Sequence, residues 1–360
     1  MPPTTINNSR ITYLDNIRFR IVMLVVILHV FCAYSQYTPW WPINDKNSEF
    51  ADLVLFWLDL FLMPTLFFIA GYFTLQSIRT HGTLTFIKTR LFRLGIPWFV
   101  GIILMGPIKQ YFFNYSRGYN ADLWVNFINH VKTFLFFDTG YIQSTTHFSQ
   151  QYFWFLSVLI LFSLIFAAAY TLAKRRGWSF PKPDNALSNR FLLSVFFIGT
   201  LITSLITVFL YKHNISAYGS EKWVIVASIL QFQPSRIAIY VFSFALGVYA
   251  FYCHWLKDKP IPFHPVFWIV FTSVLFIVTL ILTRMNAQAY FNNMVIVSSF
   301  IIVRTLLVFS ILLATLSVNS RYGNQTSSLH LALAKSSYSV YLIHMVPVYA
   351  VQLVLLNIAI

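Results

Sequence analysis

The stretch Tyr13-Leu-Asp-Asn-Ile-Arg-Phe-Arg-Ile-Val-Met-Leu-Val-Val-Ile-Leu-His-Val-Phe-Cys-Ala33 decides the class of fold. Its polar start leads into the apolar run Ile21–Ala33, in which His29 is the one strongly polar side chain. A helix that enters a membrane from a basic aqueous edge has this pattern. Because no small-residue cleavage site follows the run, we expect a retained transmembrane helix and not a signal peptide.

The composition of the whole chain supports a membrane protein. Of 360 residues, 58% are hydrophobic and 10% are charged, whereas soluble proteins average about 25% charged residues. The aromatic content of 19% fits a protein with long membrane interfaces. The net charge of +15 is explained by topology signals and contact with anionic lipid, so we expect membrane lipids as partners and no nucleic acid.

A membrane span needs about 20 mostly apolar residues. Nine stretches meet this need, and they are 18–36, 51–75, 94–113, 152–173, 191–211, 236–255, 264–283, 292–316 and 336–358. Two shorter stretches, 123–137 and 223–233, predict re-entrant or interfacial segments, or one of them supplies a tenth helix. We therefore predict an all-α polytopic membrane helix bundle of nine to ten helices, forming a single membrane domain over residues 1–360.

The distribution of basic residues predicts the orientation. With the N-terminus in the cytoplasm, the segments on that side carry 16 Lys and Arg residues and the opposite side carries 8. The cytoplasmic segments are 1–20, 76–93, 174–190, 254–264 and 317–335. This twofold bias favours a cytoplasmic N-terminus, and we place the protein in the cell inner membrane.

The first helix carries the main candidate site. Arg18 and His29 are eleven residues apart, so on a helix they share one face, about 20° apart in azimuth and separated by a rise of roughly 16 Å. Asp15 can pair with Arg18 across one turn. A histidine at that depth is either a structural hydrogen-bonding residue or a general base for a hydroxyl. A pair of His29 with Cys32 is a further alternative.

Five motifs in order along the chain resemble the acyltransferase-3 family of integral membrane acyltransferases. They are Arg18-x10-His29 introduced by Tyr13-Leu-Asp-Asn-Ile, Phe67-Phe-Ile-Ala-Gly-Tyr-Phe73, Arg90-Leu-Phe-Arg93-Leu-Gly-Ile-Pro97, Tyr152-Phe-Trp-Phe-Leu156 and Ser337-Tyr-Ser-Val-Tyr-Leu-Ile-His344. The second and third motifs are most similar to the glucan-modifying branch of the family.

The resemblance implies an acyl-coenzyme A donor, with acetyl as the usual acyl group, and a carbohydrate or glycolipid acceptor in the cell envelope, such as O-antigen or glucan. It implies that Arg18 and His29 are the functional pair. It also indicates His344 as a supporting residue. Coenzyme A would be a co-substrate, and we expect no permanently bound cofactor. We also expect no metal, since Cys32 and Cys253 lack metal-site spacing.

Arg90 and Arg93 lie on the predicted cytoplasmic side, where they are either phosphate ligands for the coenzyme or ordinary topology charges. His344, with Tyr341 one turn before it, either orients His29, binds the thioester carbonyl or makes a structural hydrogen bond.

Two further residues have two interpretations each. Arg304 lies mid-helix, where an unpaired charge is costly, so it either pairs with the intramembrane acid Asp59 or contacts a substrate carbonyl or phosphate. Trp154 lies where a long outer loop returns to the membrane, and it is either an acceptor platform or an interfacial anchor.

Two other functional classes compete with the enzyme. Ionisable residues inside a membrane also mark transport pathways, so a transporter or flippase is the second hypothesis, and it predicts paired broken helices in internal repeats. A non-catalytic partner in an envelope-assembly complex is the third. The sequence gives no oligomeric state.

Overall fold

The computed structural model of the chain describes residues 11–120, 122–142, 148–178, 189–214, 221–258, 261–288, 293–323 and 327–356. The α-helices are α1 Thr12–Phe31, α2 Glu49–His81, α3 Thr83–Arg90, α4 Ile96–Ser116, α5 Leu123–Leu135, α6 Trp154–Arg175, α7 Asn189–Asn214, α8 Pro234–Tyr252, α9 Trp255–Asp258, α10 Pro265–Gln288, α11 Met294–Tyr322, α12 Ser328–Ile343 and α13 Met345–Leu355. The strands are β1 Gly140–Tyr141, β2 Val224–Val226 and β3 Leu230–Phe232.

The predicted polytopic helix bundle is confirmed. Within the described ranges, eight helices are long and apolar enough to cross a membrane, and the bent pair α12 and α13 supplies a ninth span. Each of the nine predicted spans corresponds to one of these eight helices or to the bent pair. Parts of the predicted segments lie outside the described residues, namely 1–10, 179–188, 259–260, 292, 324–326 and 357–358.

Neither of the two shorter apolar stretches is a tenth spanning helix. The stretch 123–137 forms α5, whose 13 residues rise about 20 Å, less than the roughly 30 Å of a hydrocarbon core. Asp122 caps this helix by accepting from the backbone N–H groups of Trp124 and Val125. The stretch 223–233 forms the β2–β3 hairpin, which pairs antiparallel with β1.

The last span is broken at His344, where the prediction had one continuous helix. The axes of α12 and α13 differ by 64°, and His344 lies between them. Pro347 explains the break because it has no N–H to donate to the carbonyl of Ile343, whereas proline is tolerated in the first turn of the helix that follows.

Helices α2 and α8 pack with their backbones in close approach. A Cβ added at Gly71 would overlap the carbonyl oxygen of Phe244, and one added at Gly247 would overlap that of Phe68. Small residues at facing positions allow this packing between membrane helices. The contact gives a structural reason for the glycine in Phe67-Phe-Ile-Ala-Gly-Tyr-Phe73.

Candidate active site

Helix α1 presents Arg18 and His29 to the same neighbour, as their shared face predicts. Arg18 Nη2 donates to the main-chain oxygen of Ala334 in α12 at 3.1 Å. His29 contacts His344, at the end of the same helix. Arg18 also lies 3.4 Å from Asp15, so the predicted pair across one turn is present. The Nε of Arg18 is buried and has no hydrogen-bond partner among the described residues.

The two histidines form a hydrogen-bonded pair. His29 Nδ1 lies 2.9 Å from His344 Nε2, and His344 Nδ1 lies 2.8 Å from the main-chain oxygen of Tyr341. Because a carbonyl oxygen only accepts, His344 Nδ1 carries the proton. In the neutral pair His344 Nε2 then accepts from His29 Nδ1, and the lone pair of His29 remains on Nε2.

Tyr341 holds the break in the last span against the turn before α6. Its hydroxyl donates to the main-chain oxygen of Tyr152 at 2.5 Å, while the Tyr152 hydroxyl donates to the main-chain oxygen of Leu342 at 2.6 Å. The His344 ring also meets the Tyr152 ring edge-on at 5.0 Å. This exchange of hydrogen bonds fixes the backbone that carries His344.

A buried tryptophan that the sequence prediction missed stacks on the candidate base. The rings of Trp41 and His29 are 5.5 Å apart and inclined by 13°. Trp41 Nε1 donates to Gln352 Oε1 at 3.0 Å. A lone glutamine in the apolar segment 345–356 was a signal for a buried polar contact, but the sequence did not indicate its partner.

Arg90 precedes a π-helical turn, Leu91–Gly95, and Arg93 lies within it; such turns are frequent at functional sites. The Arg93 carbonyl cannot receive a helical hydrogen bond from Pro97, and the hydroxyl of Tyr338 donates to it at 2.6 Å. Arg90 lies over the ring of Phe86 at 5.2 Å, and Arg93 is exposed.

Two arginines of the candidate site contact the middle of α12, Arg18 through its guanidinium and Arg93 through its main-chain oxygen. Tyr338, which contacts Arg93, is one helical turn from Ala334, which contacts Arg18. Ten residues separate Ala334 from His344, a rise of about 15 Å. The structure therefore places the Arg18 guanidinium and the Arg93 backbone on the N-terminal side of the histidine pair along α12.

Arg304 and Asp59 belong to a separate ionic network, and the expected direct pair between them is absent. Arg304 donates to Glu221 at 2.8 Å. Arg236 contacts Glu221 through Nε and Asp59 through Nη1 at 2.6 Å. Glu221 and Arg236 are the two members that the sequence prediction missed. Arg236 begins the predicted span 236–255 and Glu221 lies between two predicted spans, so neither stood out as a charge inside the membrane.

The charge state of this network is set by its two arginines. Burial raises the pKa of the Glu221 carboxyl, but the charges and hydrogen bonds of Arg236 and Arg304 lower it to about 2. Glu221 therefore stays ionised at neutral pH. The four charges alternate in sign and balance, which removes the cost of an unpaired Arg304 in the membrane.

Trp154 lies beside this network, and its ring contacts neither histidine in the described part of the chain. Its ring packs against Trp223 at 5.3 Å and Tyr240 at 5.5 Å, and Tyr240 lines a small cleft with Asp59 and Arg304. Trp154 is thus part of an aromatic stack, which favours a structural role. Both cysteines are buried thiols outside any disulfide, and no hydrogen bond between the side chains of Cys32 and His29 is found in the described ranges.

Together these features define a polytopic membrane protein with a paired-histidine site at a break in its last span. A sequence profile of the acyltransferase-3 family, described as an acyltransferase domain, matches residues 11–360, and the chain belongs to this family. The family predicted from the five motifs is confirmed.

Curated relatives agree with the glucan-modifying branch of the family. Proteins named glucans biosynthesis protein C from Salmonella paratyphi A and Salmonella agona are each 24% identical over 243 residues. The match covers 66% of this chain and 58% of each relative, so it spans less than two thirds of their length. No solved structure matches the chain.

Proposed function

We propose that this chain is a membrane-bound O-acyltransferase that moves an acyl group from acyl-coenzyme A to a hydroxyl of a cell-envelope carbohydrate, with His29 as general base. The observation that carries the proposal is the hydrogen bond from His29 to His344. This bond holds the base in one tautomer and leaves Nε2 available to take a proton.

The reaction balances with one base. His29 Nε2 takes the proton of the acceptor hydroxyl as its oxygen attacks the thioester carbonyl. The carbon–sulfur bond then breaks, the new ester remains on the acceptor, and the imidazolium returns the proton to the coenzyme A thiolate. His344 stabilises the imidazolium by accepting from His29 Nδ1. General base catalysis of this kind contributes roughly 10²–10⁴-fold.

The arginines fit a donor that carries phosphates. Arg90 and Arg93 are the proposed ligands of the coenzyme because guanidinium groups recognise phosphate by forked hydrogen bonds. Arg18 keeps one buried N–H without a partner among the described residues, so it can donate to the coenzyme, whereas its contact on α12 lies about 15 Å from the histidine pair. A donor bound near Arg18 would extend about 15 Å along α12 to bring its thioester to His29.

The acceptor class rests on the relatives and on the family. The matching proteins are named for glucan biosynthesis, which favours a glucan or related envelope glycan such as O-antigen, and acetyl is the acyl group we expect. The bias of basic residues supports a cytoplasmic N-terminus in the cell inner membrane. Under that layout the arginines face the cytoplasm, where acyl-coenzyme A is made.

The transporter hypothesis has less support. It predicts broken helices in matching positions of two repeats, whereas the described residues contain a single pair of span helices bent at a short break, α12 and α13. That break is occupied by His344, which contacts the candidate base. The break is therefore accounted for by the enzyme site.

The direct test is acyl transfer from acetyl-coenzyme A, labelled in the acetyl group, to glycans in membrane vesicles. Wild-type protein should incorporate label, and His29→Ala, present in the membrane at the same level, should not. Label in the His29→Ala sample equal to wild type would reject the assigned base. If wild-type protein incorporates no label in vesicles that contain the native glycans, the assay is repeated with other acyl donors. Failure with all of them would reject the acyltransferase function.

A further inference from the structure

One buried side-chain amide joins the candidate base to the aromatic ring stacked on it. Gln352 Nε2 donates to the main-chain oxygens of His29 at 3.1 Å and Val30 at 3.0 Å. Its Oε1 accepts from Trp41 Nε1 at 3.0 Å. Gln352 is 5% exposed, so these three bonds satisfy an amide that water does not reach.

The two bonds to α1 fix the end of the helix that carries the base. The last four carbonyl groups of a helix have no partner within it, and α1 ends at Phe31. The carbonyls of His29 and Val30 therefore need an external donor, which Gln352 supplies. The backbone position of His29 consequently depends on α13.

The third bond fixes the ring that lies against His29. Trp41 is 3% exposed, and its loop is also held by Arg117, which donates to the main-chain oxygens of Trp41 at 3.1 Å and Pro42 at 2.8 Å. With Nδ1 bonded to His344 and Trp41 stacked on one face of the ring, the His29 imidazole has one favoured orientation, in which Nε2 is left for a substrate.

We propose that Gln352 is a positioning residue for His29, acting through both the end of α1 and the Trp41 ring. The inference rests on the proposed function, since the base that Gln352 positions is the base of that reaction. A misplacement of about 1 Å at a reacting group can cost on the order of 10²-fold in rate. Loss of this amide should therefore lower turnover without removing any group that touches the substrates.

The test compares Gln352→Met, Trp41→Phe and the double variant in purified protein, with acetyl-coenzyme A as donor and the native glycan fraction as acceptor. Gln352→Met keeps the side-chain length and should lower kcat roughly 10–100-fold with an unchanged KM for acetyl-coenzyme A. The double variant should be no slower than Gln352→Met, since Trp41→Phe removes a bond already lost. Gln110→Met, which loses a bond to Asn114 within α4, is the matched control and should keep wild-type kcat.

Labelling of His29 gives a readout that does not need turnover. Diethyl pyrocarbonate modifies neutral imidazole, and mass spectrometry of digested protein gives the rate at His29. In Gln352→Met the His29 ring is no longer held in place, so it should react several-fold faster than in wild type. The labelling rate of His81, which is exposed, should not change.

The outcomes separate this inference from the proposed function. Wild-type kcat per folded molecule in Gln352→Met, or additive losses in the double variant, would overturn the positioning role. If wild type transfers no acyl group from any donor, the proposed function fails, and the labelling rate alone decides whether Gln352 holds His29. Equal labelling in wild type and Gln352→Met would then overturn the inference.

Discussion

His29 Nδ1 and His344 Nε2 lie 2.9 Å apart and join the first helix of the chain to the break in its last span. The bond links residues 315 positions apart in sequence, so the site exists only when the bundle has closed. The bond also gives the two rings different roles. His29 keeps Nε2 for a substrate, whereas both nitrogens of His344 are hydrogen-bonded.

Replacing His344 tests whether its ring supports His29 as the base. His344→Leu should lower kcat for acyl transfer roughly 10–100-fold, because His29 loses the acceptor that fixes its tautomer and stabilises its charged form. His344→Gln should retain more activity, since an amide oxygen can accept the same N–H. The measurement is kcat and KM with acetyl-coenzyme A. Equal activity of His344→Leu and wild type would show that the pair is structural.

Neutralising the π-turn arginines tests the donor site. Arg93→Gln and Arg90→Gln should each raise KM for acyl-coenzyme A roughly 10–100-fold, with little change in kcat, because a lost charge-assisted hydrogen bond costs about 1.5–3 kcal/mol of binding. Lys174→Gln, an exposed basic residue in the last turn of α6, is the control for net charge. If that control raises KM by the same factor, the two arginines act only as topology charges.

Filling the glycine contact between α2 and α8 should destabilise the bundle. Gly71→Ala places a methyl group on the carbonyl oxygen of Phe244, and overpacking of this kind costs about 1–3 kcal/mol. Gly95→Ala is the matched control, since nothing lies within 4 Å of the added carbon. Thermal unfolding in detergent should show a lower Tm for Gly71→Ala alone. A Tm equal to that of Gly95→Ala would mean that the helices move apart at no cost.

Hydropathy and helical periodicity were sufficient to predict the spans and the shared face of Arg18 and His29, because both depend on residues close in sequence. The short apolar stretch 223–233 was predicted to be a re-entrant or interfacial segment or a tenth helix. It forms a hairpin instead, and its partner strand β1, about 80 residues earlier, could not be predicted from residues close in sequence. The break at His344 had a local signal in Pro347 that the span length concealed.

The partners of buried polar groups could not be predicted in the same way. Arg304 was expected to need an anion, and it has one, but the anion is Glu221, which is brought there from the segment before β2. Likewise His29 was expected to face a polar partner, whereas the contacts with Trp41 and Gln352 depend on how the first and last helices meet. Pairing across the bundle is a property of tertiary packing and is not encoded in any one helix.

Removing the carboxylate of Glu221 should lower the stability of the folded protein more than removing an exposed carboxylate does. Glu221→Gln leaves Arg304 without an acidic partner among the described residues, and breaking a buried pair on one side costs about 3–5 kcal/mol. Glu49→Gln, an exposed acid in the first turn of α2, should change stability by less than about 0.5 kcal/mol. Thermal unfolding of both variants in the same detergent makes the comparison.

The pH dependence of the same variants gives an independent check. Because the folded pKa of Glu221 is lowered from 4.5 to about 2, its contribution to stability is fully present above pH 4.5 and is lost as the pH falls toward 2. The Tm difference between wild type and Glu221→Gln should therefore be constant from pH 5 to pH 8 and shrink below pH 4.5. A difference that already shrinks between pH 8 and pH 6 would mean that Glu221 binds its proton near neutrality and that the two arginines do not hold it ionised.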